Sequence, residues 1–274
     1  MDDNNDGNDD GDSDTGFRLN RRTALGLTGA ALGSLAFGTG PATADMSNEG
    51  EDDEMNDNGD RHRYRVTVSN LTSGQPLTPP AVAAHKPSVG VFSVGEEANE
   101  ATTQIAENGN LDPLVELIEE TGAIKGSAVG GSPLVPAEDP GDTDMPYYAS
   151  LELVFEESAG FLSFISMLIA TNDGFTGLDT VVLPEEVGQS YSYYAASYDA
   201  GTEENTEDFA DIVPPAQALL GVSTDDVGSG MSNDDLAEDG VITPHSGVAG
   251  DDDLDPNVYG WDDPAALVHV ERLD

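Results

Sequence analysis

Arg63-Tyr64-Arg65-Val66-Thr67-Val68-Ser69-Asn70 is the stretch from which the fold can be read. Tyr64, Val66 and Val68 alternate with Arg65, Thr67 and Ser69, the period of a strand with one face in a core and one in water. Asn70 closes it. Leu267-Val268-His269-Val270-Glu271-Arg272-Leu273 repeats the alternation at the far end of the same region, and the two are expected to lie side by side in one sheet. Ala81–Ala84, Val89–Val94, Leu151–Phe155, Val181–Leu183 and the tyrosine-rich Tyr191–Tyr198 add further strand candidates. Phe161–Ala170 is an apolar run without a period. Bounded by Gly160 and by Thr171-Asn172-Asp173-Gly174, it reads as a buried strand.

Helical signals are fewer. Asp112-Pro113 before Leu114, Leu117 and Ile118, with Gly122 just beyond, supplies an N-cap, a proline at the first position and a C-terminal glycine. Glu97–Asn108, ending at Gly109, is a second candidate. Pro and Gly are dense throughout, so long connections are expected. The reading is one mainly β, antiparallel domain over 61–274, with one or two short helices in its connections.

The charge is extreme. The chain has 274 residues, with 54 acidic against 9 basic and a net charge of -45, which produces strong self-repulsion in dilute buffer. At about 1 M salt the Debye length falls to roughly 3 Å and most of that repulsion is screened. The acidic residues are spread along the chain and lysine is reduced to Lys86 and Lys125. This is the surface expected of a halophile's protein. Nucleic acid is excluded as a partner, since phosphate binding needs clustered Lys and Arg. With no cysteine, there are no disulfides, thiolate metal sites or thiol catalysis.

Asn20-Arg21-Arg22-Thr23-Ala24-Leu25 leads into the Gly/Ala-rich apolar run Ala24–Phe37 and then Pro41-Ala42-Thr43-Ala44. The run is short and weakly apolar for a membrane span. The paired arginines, modest apolar run and small-residue site resemble a twin-arginine export signal. Residues 1–44 are therefore expected to be a signal peptide with an acidic leader, cleaved before Asp45. Residues 45–60 are expected to be an acidic disordered spacer, and the destination is extracellular or the cell surface. Membrane contact is expected only through the signal segment, if it is uncleaved. Asp2, Asn4, Asp6 and Gly7 fit the front of an EF-hand loop, but the closing Glu is missing.

Catalytic signatures are absent: no Gly-x-Ser-x-Gly, phosphate loop, His-Glu-x-x-His or dinucleotide fingerprint occurs. His62, His85, His245 and His269 have no metal-ligand spacing and read as structural or solvated. His85 and His245, which follow proline-rich turns, are the two a hydrolase would use. Among the carboxylates, Asp173 follows the most apolar stretch, Asp199 follows the tyrosine-rich strand, and Glu152 sits in a strand on the face opposite Leu151 and Leu153. Calcium takes six to eight oxygen ligands from carboxylates, carbonyls and water, and loops gathered at one end of a sheet can supply them.

Ser163-Phe164-Ile165-Ser166-Met167-Leu168, running into Thr171-Asn172-Asp173-Gly174-Phe175-Thr176-Gly177-Leu178, resembles the spondin amino-terminal domain of F-spondin and mindin. Tyr198-Asp199-Ala200-Gly201-Thr202-Glu203 is similar to that family's Trp-Asp-Ala-Gly-Thr-Asp segment. Tyr64–Val68 with Asn70-Leu71-Thr72 and Pro79-Pro80 resembles the opening of prokaryotic members. The resemblance covers roughly 61–274. It implies an antiparallel β-sandwich with calcium at one end, held by Glu152, Asp173 and Asp199, with Glu203 a weaker candidate. It also implies a binding or adhesion module without catalysis; which partner it takes, a surface glycan, lipid or protein, is open in the sequence. The alternatives are an envelope or matrix structural protein with a purely structural calcium, and an exported hydrolase. The chain lacks the cysteines and the thrombospondin-type repeats of the animal proteins, so integrin and matrix binding do not carry over.

Overall fold

A computed structural model describes residues 61–155, 159–226 and 228–274. The expected signal peptide and spacer lie outside the described residues. The described residues build nine strands: β1 His62–Asn70, β2 Ala81–His85, β3 Ile124–Val129, β4 Tyr148–Phe155, β5 Phe161–Met167, β6 Gly174–Val182, β7 Ser190–Asp199, β8 Thr243–Pro244 and β9 Ala266–Arg272. All pair antiparallel in one sheet of order β3-β2-β5-β6-β7-β9-β1-β4, with β8 added to β7. The first and last strands are neighbours as expected, with Val66 opposite Val270.

The sheet folds over on itself because β7 belongs to both layers. Ser190–Ala195 pair with β9, while Ala196–Asp199 pair with β6. The two ends of the sheet approach each other: a Cβ on Gly126 of β3 would stand 3.0 Å from a ring carbon of Phe155 on β4. Between the layers lies one core, in which Tyr64, Val66, Leu153, Phe155, Val268 and Val270 meet Val82, Leu162, Phe164 and Leu178. Outside the β2-β5-β6 layer lies a second, where Ala83, Ile165, Met167 and Phe175 pack against Phe92, Ile105, Leu114, Ile212 and Leu219. β5 is therefore buried on both faces, which is why its sequence shows no alternation. β4 has one wet face, and its exposed Tyr148, Ser150, Glu152 and Val154 alternate with inward residues.

Among the described residues four short helices occupy the connections: α1 Glu100–Asn108, α2 Asp112–Glu120, α3 Pro215–Leu219 and α4 Pro256–Tyr259. α1 begins three residues later than its periodicity suggests, because the Asn99 side chain caps it by accepting the Thr102 N–H. It ends as expected at a left-handed Gly109. In α2 the first-turn acid is Asp112, but the capping position falls on Leu111 and the helix closes at Thr121. Val89–Val94, expected as a strand, is a loop. The Val91 carbonyl accepts from Asn99 Nδ2 and Thr102 Oγ1 at the start of α1, and Val91 and Phe92 turn into the second core. β3, with Gly126 and Ser127 in its middle, carried no strand signal.

Phe164 is fully buried in the inner core while Val154 is 53% exposed. Phe164→Ala should lower stability by about 3–5 kcal/mol, and Val154→Ala by no more than about 0.5 kcal/mol. Urea unfolding at fixed molar salt measures both, since guanidinium would itself change the screening of the net charge.

Candidate metal centre

The turn Thr171-Asn172-Asp173 between β5 and β6 is buried throughout. The Thr171 hydroxyl donates to the Leu168 carbonyl at 2.7 Å and accepts the Gly174 N–H at 2.9 Å. Position 174 must be glycine. A Cβ there would meet Thr171 Oγ1 at 2.4 Å and His245 Cδ2 at 3.0 Å. The turn thereby fixes Asp173 at the end of the strands, and the ladder sets Gly174 directly opposite Asp199.

Asp173 Oδ2 is fully engaged. It accepts the N–H groups of Thr202 at 2.8 Å and Glu203 at 3.1 Å, and the Thr202 hydroxyl at 3.2 Å. Its other oxygen, Oδ1, is buried and has no hydrogen-bond partner. Asp199 accepts the Gly201 N–H at 2.8 Å through Oδ1 and the Asn205 amide at 2.6 Å through Oδ2. Glu203 is also buried and accepts the Asn233 N–H at 2.6 Å.

Burial, and then the Asp199 charge, push the Asp173 carboxyl up to about 6. Glu203 is pushed up to about 7, chiefly by burial; the Asn233 amide pulls it back, and Glu107, Asp173 and Asp211 raise it further. Among the described residues, no basic side chain figures in the balance of either group. Buried like charges with a spare acceptor oxygen suit a hard cation, which supplies the missing positive charge and takes oxygen ligands. Asp173 and Asp199 are the carboxylates at hand for such a cation, and Glu203 stands near them.

Glu152 is placed elsewhere. It stands on the exposed face of β4 opposite Arg65, which in turn pairs with Glu271 and so with Ser190. That register sets Glu152 level with the far end of β7, roughly 30 Å of strand from Asp199 at ~3.3 Å per residue. The structure brings together Asp173, Asp199 and Glu203, and not Glu152.

A separate group went unnoticed in the sequence: Asp208, Asp226 and Asp253 bring carboxylate oxygens within 4.8 Å of one another and could hold a metal. They are widely spaced along the chain and, apart from half-buried Asp208, exposed, so no local pattern marks them. Glu107 was missed for the same reason, and Asp211, only eight residues after Glu203, because nothing local marks it among so many acids. Nearby, Glu207 takes three consecutive backbone amides, Ala249, Gly250 and Asp251, and ties the 249–251 loop down.

The two histidines differ. His85 Nε2 lies 2.9 Å from Ser163 Oγ, and its Nδ1 lies 2.9 Å from the Lys86 carbonyl oxygen. Both His85 and Ser163 are fully buried, and Ser163 Oγ also contacts the Asp179 carbonyl at the β5–β6 register shift. The pair is an internal pin, closed to an outside substrate. His245 borders the carboxylate site. Its Nδ1 accepts the Gly247 N–H at 3.0 Å, its ring lies 5.1 Å from Trp261, and burial lowers its pKa although Asp199, Asp263 and Glu207 pull the other way.

No protein-family model matches the chain, and no characterised protein matches it either. The spondin resemblance accordingly rests on the motifs themselves. Among the described residues no helix is long and apolar enough to cross a membrane.

The raised carboxyls give the metal-free protein a definite pH response. Between the ordinary carboxylate range and about 6 for Asp173 or about 7 for Glu203, the folded state holds protons that the unfolded state has released. Their contribution to stability therefore falls as pH rises from about 4 to about 7, while the lowered His245 acts in the opposite sense as pH approaches its ordinary value. Unfolding in EDTA at constant salt should show that decline. Asp173→Asn should flatten it and make the metal-free protein about 2 kcal/mol more stable at pH 8; an unchanged slope would contradict the assignment.

Proposed function

We propose that this chain is an exported calcium-binding adhesion or binding module without catalysis, acting outside the cell or at its surface. The observation that carries the reading is the buried Asp173, with one oxygen committed to backbone amides and the other unpartnered beside Asp199. The spondin-like motifs, the twin-arginine pattern and the lack of a catalytic signature support it. The sealed His85–Ser163 pair weighs against a hydrolase at that histidine. The partner in this reading is a surface glycan, lipid or protein.

A second reading is favoured by the way the carboxylates clamp loops: Asp173 holds the 202–203 turn and Glu207 the 249–251 loop. In that reading the protein is an envelope or matrix component whose calcium only stiffens the fold. Retention on the cell surface after chelation separates the two, because adhesion through calcium-ordered loops is lost and a structural role is not.

Calcium titration followed by melting and calorimetry, at fixed ionic strength, tests the ion. Calcium at a hundred times its Kd should stabilise the fold by about 2.7 kcal/mol. Asp173→Asn should abolish that gain and Asp252→Asn should leave it intact. A gain lost in Asp253→Asn and kept in Asp173→Asn would move the ion to the Asp208–Asp226–Asp253 group. Identical melting in calcium and EDTA would sink the proposal.

A further inference from the structure

The carboxylate site has a second unpartnered polar atom at its border. His245 Nε2 is shielded from solvent and has no hydrogen-bond partner, as is true of Asp173 Oδ1. His245 follows β8, whose Thr243 pairs with Asp199, and its own N–H donates to the Ser197 carbonyl at 3.1 Å. The ring edge bearing Cδ2, the carbon bonded to Nε2, lies against Gly174, the residue after Asp173. Asp199 is the largest of the charges acting on the imidazole. Two strand pairings and one close contact thus hold this ring at the edge of the pair Asp173 and Asp199.

The tautomer follows from the other nitrogen. Nδ1 accepts the Gly247 N–H at 3.0 Å, so it bears the lone pair. In the neutral imidazole the proton is then on Nε2. Nε2, on the ring edge that lies against Gly174, is then a donor and cannot ligate a metal in this tautomer. A transition metal bound through imidazole would require breaking the Gly247 bond and moving the proton. A hard cation with oxygen ligands requires neither, because one of its ligand oxygens can accept the Nε2–H.

We infer that His245 is a positioning residue for the cation at Asp173 and Asp199, donating from Nε2 to a water that ligates the ion and denying the site to imidazole-bound metals. The inference rests on the calcium reading above. Its chemistry is that of an outer-shell partner: it orients a ligand without touching the metal, and loss of such a group typically weakens metal binding 10- to 100-fold.

Calorimetric titration of the folded chain with calcium and separately with zinc, at constant salt, tests it on wild type, His245→Phe, His245→Gln and Asp252→Asn. Phe keeps the ring packing on Gly174 and Trp261 but removes the donor; Gln restores an N–H. The expected result is a calcium Kd raised about tenfold in His245→Phe, within about threefold of wild type in His245→Gln, and unchanged in Asp252→Asn. A merely structural role would lower the melting temperature of the metal-free variant and leave the calcium Kd where it was, which would overturn the inference while the calcium reading stood. Zinc binding tighter than calcium, and lost in His245→Phe, would make the imidazole a ligand and overturn it as well. Absence of calcium binding by the wild type would remove both. If His245→Phe does not fold, the imidazole nitrogen resonances of the wild type decide. Calcium should shift the protonated Nε2 and leave Nδ1 unprotonated, and an unmoved Nε2 counts against the inference.

Discussion

Asp173 Oδ2 accepting the N–H groups of Thr202 and Glu203 is the contact on which the loop end of the sandwich depends. It joins the β5–β6 turn to the segment leaving β7, and it does so with a fully buried carboxylate. A buried charge is costly unless it is met by donors or a counter-charge. Here one oxygen is met and the other is not, so the loop end is held together by a group that also strains it electrostatically. A positive charge at the free oxygen would relieve that strain.

The chain's acidity is of two kinds. Most carboxylates stand in water, where salt screens their repulsion. A few, Asp173, Glu203 and Glu107, are buried and cannot be screened in that way. Glu207 is also buried, but three amides surround it. Formal charge alone does not separate these groups, and the hydrogen-bond donors around each one do.

Four strands with one wet face were legible. β1, β4, β7 and β9 alternate, and the sequence places each within a few residues of its observed bounds. β5 was legible for the opposite reason, as an apolar run between turn residues that becomes a strand buried on both faces. Val89–Val94 misled because its apolar residues serve the second core from a loop whose carbonyl caps α1. Asp173 and Asp199 could be singled out because each sits at a strand end, after the buried β5 and the tyrosine-rich β7 respectively. Glu152 was singled out by its place on a strand face as well as by the resemblance, and the register carries it to the opposite end of β7. Glu107 and His245 reach the site across long sequence separations, and only the packing of α1 and the pairing of β7 with β8 show that.

Burial of the β2-β5-β6 layer on both sides makes its outer cover indispensable to solubility. The strands alone would present Ala83, Ile165, Met167 and Phe175 as a bare apolar wall. In dilute buffer the net charge of -45 would hold copies apart, but in molar salt that protection vanishes and such walls adhere. A trimmed version of this protein would therefore precipitate under the very saline conditions its surface suits. The helices and long connections act as the chain's built-in safeguard against its own kind.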